Sequence, residues 1–225
     1  MLVKKFSKYG YIELEGDEND IHFTSDLHLC HSNIIKLCGR PFGDVEEMNQ
    51  TLINNWNSVV KENDIVFNLG DFCWSDSSDV WSKFIDRLNG HQVLILGNHD
   101  TRKAVEKLSN TYHLLDDNRN YVPNRPIRSE FLDRIFLIRE RIELRYNGER
   151  YMLDHFPTQH YNGNYHSVRL LTGHCHEKDS CYSVNHYSVC VERNEYRPVS
   201  LNEINMLLTM QCRNNIWNLK LNNIL

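Results

Sequence analysis

The chain has 225 residues, of which 40% are hydrophobic, 24% charged and 11% aromatic, an ordinary globular composition that excludes collagenous, coiled-coil and low-complexity classes. Its formal charge of −5 gives no bulk attraction to polyphosphates, which excludes a protein that coats DNA or an anionic membrane by charge alone. The length suits one domain over residues 1–225, large enough to bury a core without disulfides.

The N-terminus turns polar and acidic before any apolar run develops, and no stretch approaches the ~20 apolar residues of a membrane span. No contact with a membrane is expected. Seven cysteines form an odd set without a CxxC pair, unlike a disulfide framework or a zinc ribbon. A reducing, cytoplasmic setting is expected, that of the host if the gene is viral. Twelve histidines are about twice what ordinary composition gives, and histidine is the commonest metal ligand.

In chain order, Ile21 to Leu29 reads as a first buried strand, followed by a helix over Asp44 to Lys61. That helix opens on an N-cap aspartate with Glu47 three residues on, and it carries Met48, Leu52, Ile53, Trp56, Val59 and Val60 at helical spacing. Asp64 to Phe72 reads as a strand, Ser77 to Leu88 as a helix that repeats the pattern with Val80, Trp81, Phe84, Ile85 and Leu88, and His91 to Gly97 as a third strand. Strand–helix–strand–helix–strand predicts an α/β first half around a partly parallel sheet. The stretch from Asn110 to Asp133 reads as a long loop or cap. Asn147-Gly148 inside Arg141 to Phe156 signals a hairpin, and Val168 to Gly173 and Tyr182 to Val191 read as further strands of a more antiparallel second half. Ser200 and Glu203 form a capping box for a closing helix that carries Ile204, Leu207 and Leu208.

Chemistry concentrates where the strands end, at Asp26-Leu27-His28, Gly70-Asp71, Gly97-Asn98-His99-Asp100, His155 and Gly173-His174-Cys175-His176. Residues two apart in a strand share a face, so Asp26 and His28 are expected to aim at one point, and His174 and His176 likewise. The same alternation turns Cys30 and Cys175 away. Carboxylates, imidazoles and one amide oxygen suit Mn²⁺, Fe²⁺, Ni²⁺ or Zn²⁺. The glycines read as sharp-turn residues. Trp56, Trp81 and Phe84 read as core.

These blocks, D-x-H, GD, GNH-D, a lone histidine and GH-x-H in that order, resemble the calcineurin-like metallophosphoesterases. His31, Asn33-Ile34-Ile35, Arg40-Pro41-Phe42, LGDF, H-F-P and the R-P-V-S-L-N-E-I segment resemble the small bacterial and phage members. The likeness runs from about residue 21 to about 208, and 209–225 stands as an extension. It implies a four-layer α/β/β/α sandwich of two mixed sheets with a dimetal site at strand ends. One cation would be held by Asp26, His28, Asp71 and His176 and the second by Asp71, Asn98, His155 and His174, with Asp71 bridging. Mn²⁺ comes first, with Fe, Ni and Zn as alternatives.

A water shared by two such cations is acidified to hydroxide and attacks a phosphoester in line, so Asp71 and His99 are the catalytic candidates. By the same resemblance His99 contacts the phosphate together with Asn98 and protonates the leaving oxygen. His31 and Arg40 are expected either to contact substrate or to serve as a helix cap and a surface ion pair. The second block lacks the D-R-G of the protein serine/threonine phosphatases and the third ends in Asp100 instead of glutamate, which argues against that branch. Asp76 is a shifted candidate to orient His99. The expected activity is phosphodiester hydrolysis of a small phosphoester or nucleotide. The alternatives are a nuclease using Arg125, Arg128, Arg134, Arg139 and Arg141, a phosphomonoesterase, and a non-catalytic scaffold, which the complete set of site residues disfavours.

Overall fold

A computed structural model describes residues 2–6, 11–111, 136–139, 141–163, 166–176 and 183–222. Its elements in chain order are β1 (Leu2–Phe6), β2 (Tyr11–Glu15), β3 (Ile21–Thr24), α1 (Ser32–Leu37), α2 (Val45–Val59), β4 (Ile65–Asn68), α3 (Ser78–Ile85), β5 (His91–Ile95) and α4 (Arg102–Thr111). There follow β6 (Phe136–Arg139), β7 (Arg141–Tyr146), β8 (Glu149–Asp154), β9 (Arg169–Thr172), β10 (His186–Ser188), β11 (Val199–Ser200) and α5 (Leu201–Asn222). The segment expected as a loop or cap lies outside the described residues beyond Thr111, as do Arg125, Arg128 and Arg134.

The strands form two mixed sheets, one in the order β1-β2-β7-β8-β9-β10 and one in the order β11-β3-β4-β5-β6. In the second, β3, β4, β5 and β6 run parallel, and β3 and β4 are buried along their whole length, as strands covered on both faces must be. Phe23 lies opposite Phe67 in register and stacks on it at 5.3 Å. In the first sheet, alternation sorts the side chains. Tyr151, Leu153 and Leu171 join the main core cluster with Phe23 and Phe67, whereas Met152, Val168 and Leu170 form a small cluster on the other face under Tyr161. One apolar core therefore joins the two sheets, with helices completing the α/β arrangement.

The caps and turns follow the sequence signals. The Asp44 carboxylate accepts from the Glu47 amide at 2.9 Å, starting α2, which buries Met48, Leu52, Ile53 and Trp56; α3 buries Trp81, Phe84 and Ile85. Asn147 and Gly148 have φ of 49° and 80°, the pair of left-handed residues that a tight primed hairpin turn requires. Ser200 and Glu203 cap each other reciprocally, amide to hydroxyl at 3.2 Å and amide to carboxylate at 2.9 Å.

Two expectations need correction. The first strand ends at Thr24 and not at Leu29, and the second runs only from Ile65 to Asn68 and does not reach Phe72. In the second half β7 and β8 pair antiparallel, as does β11 with β3, but among the described residues β8, β9 and β10 run parallel. The connections 155–168 and 173–185 are each long enough for the crossover that parallel pairing needs, about a dozen residues. In α5, Ile204 and Leu208 are buried but Leu207 is 38% exposed.

Candidate metal centre

The two loops that follow β3 and β4 lie side by side and are laced together by backbone bonds. The amides of Asp26, His28 and Leu29 donate to the carbonyls of Gly70, Asp71 and Phe72 at 2.9, 2.9 and 3.0 Å, and the Trp74 amide returns a bond to Leu29 at 2.8 Å. Asp26, His28, Asp71 and His174 all take left-handed backbone, with φ of 59°, 50°, 54° and 68°. Such a conformation costs about 1–2 kcal/mol per non-glycine residue and persists where surrounding bonds over-determine it. The paired aim of Asp26 and His28 therefore comes from twisted loops beyond the strands and not from strand alternation, and the expected shared aim of His174 and His176 is not seen, since only His176 joins a donor group.

Glycine enters at points of close approach. A Cβ on Gly97 would strike the carboxylate and amide of Asp71, and one on Gly173 would strike Asp26 and Ser25. Of the three block glycines only Gly70 has a positive φ, 101°, so at Gly97 and Gly173 the need is space for a carboxylate, not a turn.

The side chains converge on Asp71, whose Oδ2 is 3.5 Å from both His28 Nε2 and His155 Nε2. Asp26 Oδ1 is 3.8 Å from His176 Nε2, and Asn98 Oδ1 is 3.0 Å from His155 Nε2. Donor atoms of Asp26, His28 and His176, and again of Asp26, Asp71 and His155, lie within 4.8 Å of one another. His174 belongs to neither group. Its imidazole is exposed beside His155, ring centroids 5.2 Å apart, while its amide donates to Asp26 at 2.9 Å. His99 is exposed at the mouth, its amide bonded to Asp71 Oδ1 at 2.8 Å and its ring 5.5 Å from that of His28.

These donors fit divalent cations. His28 Nε2 is buried without a hydrogen-bond partner. A 3.5 Å gap is too long for a hydrogen bond and suits two ligands each about 2.1 Å from a shared cation. His155 donates its Nδ1 proton to the Leu69 carbonyl at 2.7 Å and His176 donates its own to Glu192 at 2.8 Å. Each Nε2 lone pair is thereby left free, the arrangement that ligating histidines show. Burial, and next the neighbouring His176 and Arg40, push the pKa of His28 down to about 2. Burial raises Asp71, with His155 opposing. Burial is the largest single influence on His176 and lowers its pKa, but the hydrogen bond it donates to Glu192 and the negative charges of Glu192 and Asp26 together outweigh that, and the net shift is upward.

Sequence reasoning missed the supports. The buried Asp100 carboxylate accepts from the amides of Asp71, Phe72 and Gly97 at 2.9, 2.9 and 2.8 Å, tying together the loops that carry Asp71 and Asn98. Cys190 donates to Asp26 at 2.9 Å. Asp100 was visible as the last letter of its block, but nothing local marks Glu192 or Cys190.

Arg40 is neither at the substrate cleft nor on the surface. Its side chain is 0% exposed, and its guanidinium donates to Glu192 at 2.6 and 2.9 Å, to the Leu27 carbonyl at 2.9 Å and to the Asp26 carbonyl at 2.7 Å. His31 sits at the N-cap of α1 without a side-chain cap bond. Its ring lies between His28 and Trp74. Asp76 is exposed at a cleft of about 450 Å³ shared with Trp74, Ser75, Asn98, His99 and Thr101. Arg141 pairs with Asp154.

A family model described as calcineurin-like phosphoesterase matches residues 20–201. The chain belongs to this family. An uncharacterised protein of Methanocaldococcus jannaschii is 34% identical over 195 residues, 84% of this chain and 90% of that one. The gene 66 protein of Mycobacterium phage L5 is 40% identical over 80 residues, 35% of this chain and 38% of the phage protein. A protein of unknown function from Aquifex aeolicus has a similar crystal structure, with TM-score 0.59 and 24% identity over 83% of this chain and 98% of that one, a likeness of fold. Membership of the calcineurin-like phosphoesterases and the clustered donors support divalent-metal binding and metal-dependent phosphoester hydrolysis. No helix among the described residues is long and apolar enough to cross a membrane.

Proposed function

We propose that the chain is a dimetal phosphodiesterase for a small, nucleotide-type phosphoester. The observation that carries this reading is Asp71 Oδ2 standing 3.5 Å from both His28 Nε2 and His155 Nε2, with His28 Nε2 otherwise unpartnered in the interior. Asp26, His28, Asp71 and His176 would hold one cation, and Asp71, Asn98, His155 and His174 the other, with Mn²⁺ the first choice. When bound, the pair supplies Lewis acidity to the phosphoryl oxygens and lowers the pKa of water at the site.

The protein's own groups do the rest. Asp71 is shared between the two sets, so its carboxylate fixes their separation. Leu69 and Glu192 hold His155 and His176 in the tautomer that turns Nε2 inward. His99, exposed at the cleft beside Asn98, is placed to contact the phosphate and to give a proton to the leaving oxygen, a task suited to an imidazole near neutral pH. The interior pairing of Arg40 removes it from phosphate recognition.

The test is hydrolysis of bis-p-nitrophenyl phosphate beside p-nitrophenyl phosphate, with chelator-stripped protein and Mn²⁺ added back. Metal-dependent turnover that favours the diester is expected. Preference for the monoester would replace the diesterase reading with a phosphatase, and bound metal without turnover of either ester would overturn the proposal in favour of a binding protein.

A further inference from the structure

Trp74 is out of place by the standards of its own chain. Trp56 and Trp81 are fully buried, whereas Trp74 is 47% exposed at the cleft that also holds Asn98 and His99, and an aromatic ring exposed in a cleft with polar groups beside it is the usual lining of a small-molecule site. It is also held rigidly. Its amide bonds to the Leu29 carbonyl at 2.8 Å, and its ring lies flat against His31, centroids 4.1 Å apart and planes within 9°. His99 is a further neighbour, tilted at 48° with its centroid 5.0 Å from that of the indole, so the indole adjoins the candidate proton donor. A side chain fixed in this way presents the part of its ring that His31 does not cover, with little conformational entropy left to lose on binding.

The rest of the cleft narrows the ligand. Ser75, Asp76 and Thr101 border it along with Trp74; the Ser75 hydroxyl accepts from the Ser77 amide at 3.1 Å and the Thr101 hydroxyl donates to the Ser75 carbonyl at 3.3 Å, which leaves each with further hydrogen-bonding capacity beside the exposed Asp76 carboxylate and the aromatic ring. A bare hydrocarbon would leave these groups unused. A nucleobase offers both a face to stack and amino or imino donors for a carboxylate or hydroxyl.

We infer that Trp74 is the platform on which the nucleobase of the substrate stacks, with Ser75, Asp76 and Thr101 meeting its polar edge, so that the site selects nucleotides over phosphoesters of the same size without a base. This rests on the function proposed above, since it takes the phosphate to lie at the metal cluster beside His99. It adds a specificity-determining residue and the reason that a base is required.

The test uses the metal-loaded protein and two ligands that share a phosphate and a ribose, AMP and ribose 5-phosphate, titrated with calorimetric and tryptophan-fluorescence readouts. Tighter binding of AMP, with quenching that ribose 5-phosphate does not produce, is expected. Trp74→Ala is expected to weaken AMP by roughly 5- to 150-fold, the span of base–aromatic stacking, while leaving ribose 5-phosphate unchanged, and Trp74→Phe should restore much of the loss.

Equal affinity of the two ligands in the parent protein, or equal weakening of both in Trp74→Ala, would overturn the inference and leave the phosphoesterase reading standing. Failure of both ligands to bind would overturn both. Competition with a single-stranded oligonucleotide separates the two sources of the base: displacement of AMP assigns it to a nucleic-acid end, and no displacement assigns it to a free nucleotide.

Discussion

Replacing Arg40 separates a positioning role from a substrate role. Arg40→Met keeps much of the volume and removes every donor. Glu192 then remains as a buried carboxylate with His176 as its remaining partner, and breaking a buried pair in this way costs about 3–5 kcal/mol. The carbonyls of Asp26 and Leu27 also lose the guanidinium, at about 1 kcal/mol or more each. The sum is about 5–7 kcal/mol, and at about 2–4 °C per kcal/mol for a protein of this size the melting temperature of the metal-free protein should fall by roughly 10–28 °C. Arg40→Lys keeps the charge and loses the fork, so a smaller drop is expected. Because Arg40 holds the loop carrying Asp26 and His28, metal affinity should weaken about 10- to 100-fold in both, as for other supports of metal ligands. At saturating Mn²⁺, KM for the diester should be unchanged. A variant that melts within about 2 °C of the parent while raising KM would show that the guanidinium reaches substrate, and would refute the burial argument.

Other expectations follow from the same geometry. Asp71→Asn and His174→Ala should lose bound metal, measured by atomic absorption, together with nearly all turnover, whereas His99→Ala should keep its metals and lose about 10²–10⁴-fold in rate. Asp100→Asn should lower both thermal stability and metal content, because one carboxylate now receives three backbone amides and an amide side chain would set its own donor against at least one of them; unchanged metal content would remove Asp100 from the positioning role. His186 is 1% exposed with Thr172 at 2.7 Å, and burial, then Arg193, hold its pKa down at about 4. The unfolded chain binds that proton more readily, so the contribution is fully present above about pH 6.5 and is lost as pH falls toward 4, by about 3 kcal/mol. Urea denaturation from pH 7 to 4 should show this slope in the parent and lose it in His186→Asn.

What the sequence disclosed was local or ordered along the chain. The Asp44 cap, the Asn147-Gly148 turn and the Ser200–Glu203 box each depend on residues within four positions, and each is found in the structure. The site blocks were legible because their order is a pattern in one dimension, and Asp26, His28, Asp71, Asn98, His155 and His176 do come together. What stayed hidden depends on distant partners. Arg40 meets Glu192 152 positions away, and no periodicity announces such a contact; a guanidinium beside R-P-F reads equally well as a surface group. Hydrophobicity alone likewise cannot tell β9 and β10 as parallel additions from antiparallel ones, since the pattern of side chains is the same and only the path of the connection differs.

The convergence of Asp26 and His28 was expected for a reason that the structure replaces, and the difference matters chemically. Strand alternation would make their aim a property of the sheet, insured by the whole ladder. Alternate left-handed residues at 26 and 28 also set two side chains on one side, but the arrangement now depends on a few bonds beyond the ladder: the lacing to residues 70–72, the Arg40 fork on two carbonyls and the Asp100 carboxylate on three amides. Each of these can be removed by one substitution without touching a donor atom. The site should therefore be far more sensitive to its supports than a metal centre built on strands, and the supports are as much a part of its chemistry as the histidines that face the cleft.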